Sequence, residues 1–128
     1  MYEWHGWATI VASPGTEDDE AADARQRAAE AEVGDLVAAA GAVNETVDLR
    51  RANGSLHLWL AGAHNHRDDG VVELFAKVAQ LAPGSYGVLY ALEHGVDPGW
   101  HRWVMRRGKV TGEADSSLSP HVGSVEDR

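Results

Sequence analysis

Val47-Asp48-Leu49-Arg50-Arg51-Ala52-Asn53-Gly54-Ser55-Leu56-His57-Leu58-Trp59-Leu60 decides the fold of this chain. Asn-Gly is the strongest short hairpin signal, because both residues of the turn need positive φ and these two adopt it at low cost. Before the turn, Val43, Val47 and Leu49 alternate with Asn44, Thr46 and Asp48, which predicts a strand over residues 43–52. After it, Leu56, Leu58 and Leu60 mark one face of a partner strand, and His57 and Trp59 mark the other.

Each side of this hairpin repeats one pattern, a strand followed or preceded by a helix. Upstream, Trp4 to Ala12 reads as a strand and Ser13-Pro14-Gly15 breaks it. Thr16 is a good helix N-cap, and Glu17, Asp18, Asp19 and Glu20 suit the positive end of the helix dipole. Ala22, Ala29, Val33, Leu36, Val37 and Ala40 then fall on one helical stripe. Gly34 is expected to interrupt that helix, and Gly41 to end it. Downstream, Gly62 to Asp69 reads as a polar loop whose Asp68 or Asp69 caps a second helix. Val71, Leu74, Phe75, Val78 and Ala82 form its apolar stripe, and Pro83-Gly84 ends it. Tyr86 to Glu93 reads as a central strand and Trp100 to Arg107 as a fifth, paired with it.

The expected fold is therefore α+β, an antiparallel sheet of about five strands in the order βαββαββ, with two helices on one face. Its first six elements match the split βαβ, ferredoxin-like arrangement. Residues 1–112 are expected to form one domain, with 113–128 as a tail on or near it. A chain of 128 residues has the size of one domain and can bury a core without staples. The tryptophans divide on this scheme. Trp7 and Trp103 are expected in the core. Trp59 and His57 point to the sheet face away from the helices, where a partner would bind.

Composition narrows the function. No cysteine is present, so disulfides, thiolate zinc sites and cysteine nucleophiles are excluded. No apolar run approaches the roughly 20 residues that span a bilayer, and the first residues do not read as a secretory signal. A cytoplasmic protein with no membrane partner is expected. The net charge is −9, which repels phosphate backbones and argues against nucleic acid. Eight acids against two arginines between Glu17 and Asp35 give −6 there. Complementary charge would favour a basic partner on that helix, with Glu17, Asp18, Asp19 and Asp23 as contact residues.

No catalytic constellation emerges. Pro83-Gly84-Ser85-Tyr86-Gly87 leads from helix to strand, the reverse of a nucleophile elbow, and reads as a tight turn whose glycines supply special φ/ψ. Phosphate-loop and dinucleotide fingerprints are absent from the sequence. No enzyme activity and no cofactor are expected. His64-Asn65-His66 beside Asp68 and Asp69 offers an alternative, a metal held by His64 and His66. A second alternative is a ferredoxin-like module that forms a homodimer through its open sheet face, around a small ligand.

Several segments together resemble a known family. These are Trp4-His5-Gly6-Trp7, Asn53-Gly54 with Leu56 and Leu58, His64-Asn65-His66-Arg67, and Val72-Glu73-Leu74-Phe75. Ala82-Pro83-Gly84-Ser85-Tyr86-Gly87-Val88-Leu89-Tyr90, Leu118-Ser119-Pro120 and Val125-Glu126-Asp127 follow in order. The chain resembles the immunity protein 7 family of bacterial polymorphic toxin systems over nearly its whole length. The resemblance implies an α+β cytoplasmic antidote that binds and blocks the toxic domain of a cognate effector. It brings no catalytic residues.

Overall fold

The computed structural model describes residues 1–13, 20–40 and 45–118. Eight elements follow one another: β1 (Tyr2–Ile10), α1 (Glu20–Ala40), β2 (Glu45–Ala52), β3 (Ser55–His64), α2 (Gly70–Leu81), β4 (Tyr86–Glu93), β5 (His101–Arg106) and β6 (Lys109–Ala114). They build one open sheet in the order β2-β3-β1-β4-β5-β6, and all five neighbouring pairs are antiparallel. The first four strands and two helices have the expected split βαβ order. Two meander strands then widen the sheet.

Register decides which side chains meet the helices. On β1, Tyr2, Trp4, Ala8 and Ile10 are buried, and the residues opposite them on β3 include Leu56 and Leu58. Val47 and Leu49 on β2, Leu89 and Ala91 on β4, and Met105 on β5 continue the same face. Val33 of α1 and Phe75 and Val78 of α2 complete the core, each fully buried. Burial of each such side chain is worth about 1.5–3 kcal/mol. Trp4 has room because its neighbours across both ladders are small, Gly62 and Ala91.

Four expectations need correction. Among the described residues the sheet has six strands rather than about five. β6 spans Lys109–Ala114 and so carries the sheet two residues into the segment expected as a tail. The turn that makes it, Arg107-Gly108, has φ of 52° and 75°, the same two left-handed steps taken by Asn53 (54°) and Gly54 (84°). Arginine hides this signal, since it rarely adopts that conformation. Second, α1 is continuous through Gly34. Third, β3 extends through His64, pairing Ala61 to His64 with the start of β1, so the expected polar loop is shorter. Fourth, Trp7 is not in the core. It is three residues beyond Trp4 on one strand, so the two indoles take opposite faces. Trp103 does pack against the core. The N-cap at Thr16, the acids Glu17, Asp18 and Asp19, Gly41, and the start of the second strand at Val43 and Asn44 lie outside the described residues.

The turn before β4 works differently from its reading as a site of special glycine dihedrals. Ser85 N donates to the Ala82 carbonyl at 2.9 Å, so the tight turn is present. Its two glycines, however, serve close approach. A Cβ on Gly84 would sit 2.4 Å from the Ser13 carbonyl, and one on Gly87 would sit 2.0 Å from the Trp7 carbonyl oxygen. Ser85 is buried, accepts from Val11 N at 2.9 Å and fastens the end of β1.

Candidate functional site

The face of the sheet away from the helices is built from the alternate residues of the same strands. Cross-strand register sets them in rows. One row runs Asp48, Trp59, Trp7, Val88, Val104, Thr111. The row beside it runs Arg50, His57, Thr9, Tyr86, and β5 and β6 add Arg106 and Lys109, opposite each other in register.

Trp7 and Trp59 are each 40% exposed and Tyr86 is 51% exposed. Large aromatic groups are seldom left in water without use, because each carries a large apolar area. They are also held in place. Tyr86 stands edge-on to Trp7, with ring centres 6.1 Å apart, and His57 lies against Trp59 at 5.4 Å. Thr9 Oγ1 and His57 Nδ1 share a 2.9 Å hydrogen bond that fixes the His57 ring. A cleft of 370 Å³ lined by Trp7, Trp59, Ala61, Val88, Tyr90 and His5 lies on this face. A preorganised aromatic row of this kind can accept an apolar partner surface with little further loss of rotamer freedom.

Charge on this face differs from that of the chain. Its strands carry four cations, Arg50, Arg102, Arg106 and Lys109, and three anions, Glu3, Asp48 and Glu113. That balance of +1 contrasts with −9 for the whole sequence. Every one of these anions is committed. Asp48 meets Arg50 at 3.2 Å, Glu113 meets Arg102, and Glu3 holds both His5, at 2.9 Å, and His94. The hydrogen bond from His5 outweighs partial burial and, with that from His94, holds the Glu3 carboxyl below the ordinary carboxylate range. Arg106 and Lys109 are exposed and have no ion-pair partner among the described residues.

The expected site residues do not form one patch. Trp59 and His57 lie on the sheet face, as their alternation predicts. Asp23 is exposed on α1, on the other side of the sheet, and Glu17, Asp18 and Asp19 are outside the described residues. Trp7, Tyr86, Arg106 and Lys109 join Trp59 and were missed. The period-2 signal for Trp7 was present in Trp4-x-x-Trp7, but Tyr86 and the cations depend on register, which no single strand reveals.

The histidine loop gives a different picture from a metal centre. His64 ends β3, its Nδ1 is 3.0 Å from an Asp68 carboxylate oxygen, and its ring meets the edge of Trp4 at 4.9 Å. His66 is exposed beyond the strand. No group of three His, Cys, Asp or Glu side chains able to hold a metal ion occurs among the described residues. A 590 Å³ cavity on the helix side is lined by Trp4, Leu36, Leu60, His64, Asp68 and Leu74, among others. Its lining mixes core side chains with the charged Asp68, Glu73 and Lys77 and includes none of the exposed aromatic side chains.

No helix among the described residues is long and apolar enough to cross a membrane. Comparison with curated proteins and with solved structures gave no match. The family model for Immunity protein 7 matches residues 1–127. With the α+β fold and almost the full length matched, the chain belongs to the Immunity protein 7 family.

Proposed function

We propose that this protein neutralises a cognate toxin of a bacterial polymorphic toxin system by binding its toxic domain in the cytoplasm of the producing cell. Membership of an immunity protein family supports a protein partner. The observation that carries the choice of surface is the exposed row Trp59, Trp7 and Tyr86 on the open sheet face. Tryptophan and tyrosine dominate the energetics of interfaces, and here they need no rearrangement to present themselves.

The test is to look beside the gene for one encoding a large secreted protein with a variable C-terminal domain, and to co-express that domain with this protein. Growth rescue and a one-to-one complex on gel filtration are the expected results. Rescue that fails with a soluble, folded immunity protein sinks the reading. A concentration-dependent homodimer that Trp59→Ala dissociates, with no toxin complex, would assign the same face to a second copy instead.

A further inference from the structure

The exposed acids of α1 and the exposed aromatic row are on opposite sides of one sheet. Glu20, Asp23, Glu32 and Asp35 are exposed on α1, in the helix layer. On the aromatic side, Asp48, Glu113 and Glu3 are all taken up by Arg50, by Arg102, and by His5 with His94. What remains unmatched there among the described residues is positive. Arg106 follows Met105, which pairs with Gly87, so it stands beside Tyr86 at the end of the aromatic row. Lys109 is directly across the β5–β6 ladder from it.

We infer that the toxin surface bound by this face is an apolar patch bordered by carboxylates, with the carboxylates meeting Arg106 and Lys109 at the β5–β6 corner. This rests on the toxin-binding reading and reverses the expectation of a basic partner drawn from net charge. Net charge is the wrong guide here, because opposing potentials matter where the surfaces touch and the sheet keeps the α1 carboxylates off that surface. Beyond a Debye length of about 8 Å at physiological salt, surface charges act weakly. At low salt the same separation makes the molecule a dipole. An acidic partner repels the helix layer and draws the sheet face toward itself, so encounters are oriented before contact.

Association of the full chain with the neighbouring toxin domain, followed by stopped flow across salt concentrations, tests this. Arg106→Glu with Lys109→Glu should slow association about tenfold or more at low salt, and the difference should shrink as salt is raised. The milder pair Arg106→Gln with Lys109→Gln should fall between. The α1 variant Glu20→Lys with Asp23→Lys, Glu32→Lys and Asp35→Lys should leave association as fast or faster. Circular dichroism of each variant separates a folding defect from a binding one. If the α1 variant slows binding and the Arg106/Lys109 variants do not, the inference is overturned while the toxin-binding reading stands. If no toxin complex forms with the wild-type protein, the reading itself fails and the inference with it. An eight-nucleotide single-stranded RNA that binds at micromolar concentration and loses binding on Trp59→Ala would also overturn it, since the row would then be a base-stacking platform.

Discussion

Trp7 and Trp59 are directly opposite each other across the β1–β3 ladder, and both remain 40% exposed. A cross-strand pair of this kind adds about 0.2–1 kcal/mol to the sheet. Its larger value lies in what a partner can bury. Trp59→Ala and Trp7→Ala should each change unfolding free energy by about 1 kcal/mol or less in urea titrations. Each should weaken the toxin complex by about 2 kcal/mol or more, roughly thirtyfold in Kd, measured by calorimetry. A large stability loss with unchanged affinity would show that the pair is structural.

Gly34 is a spare position. The helix passes through it without a break, and a Cβ there would come no closer than 4.0 Å to Leu49 Cδ2, an ordinary contact. Gly34→Ala should raise stability by about 0.5–1 kcal/mol from helix propensity alone. A shift of the thermal midpoint upward by a few degrees is the expected reading.

Ser85 and Gly87 should behave in the opposite sense. Ser85→Ala leaves the Val11 N–H without its 2.9 Å acceptor, at a cost of about 1–3 kcal/mol. Gly87→Ala should be worse, because the new methyl would lie 2.0 Å from a backbone oxygen of β1 that cannot swing aside. Denaturation midpoints should fall in that order, Gly87→Ala below Ser85→Ala below wild type.

Arg107 occupies a left-handed position at φ 52° in the β5–β6 turn. Asparagine takes that conformation more readily. Arg107→Asn should stabilise the fold by about 0.5–1 kcal/mol, read from the same denaturation curves. No gain would mean that the arginine is held by contacts beyond the turn geometry.

Acid should destabilise the protein in a defined window. Burial of Asp115 raises its pKa, but the N–H groups of Leu118 and Ser117, the Ser117 hydroxyl and Arg102 outweigh this and hold it below its ordinary 3.8. Glu3 is likewise held below its ordinary 4.5. A carboxylate whose folded pKa is depressed contributes fully above its unfolded value and loses that contribution as pH falls through the folded value. Stability should therefore be flat in these groups above pH 5 and decline below about 4. Asp115→Asn should make the decline shallower. An unchanged slope in that variant would remove Asp115 from the account.

The parts of the fold that were legible in sequence are those written in local pattern. Asn53-Gly54 announced the central hairpin, and the stripe through Leu74, Phe75 and Val78 announced α2, because each signal is complete within a few residues. The β5–β6 hairpin was not legible, because Arg107 stands where the turn chemistry asks for asparagine or glycine. Two residues of the candidate site followed from alternation, which turned Trp59 and His57 outward once the leucines beside them faced the core. The rest did not. Trp7, Tyr86 and Arg106 become neighbours only through the register of two different ladders, and the separation of the α1 acids from the aromatic surface is a property of the two sheet faces rather than of any segment.

β1 is at the centre of the sheet and pairs with β3 and β4, neither of them next to it in the chain. β1 therefore leaves the ribosome before either partner and must wait for both. Until β4 has emerged and paired, Trp7 has no Val88 or Tyr86 beside it, and nascent or truncated chains carry no finished aromatic row. Under the proposed toxin-binding function, protection in a growing cell would follow the supply of completed molecules, with a delay set by synthesis and by slow long-range pairing.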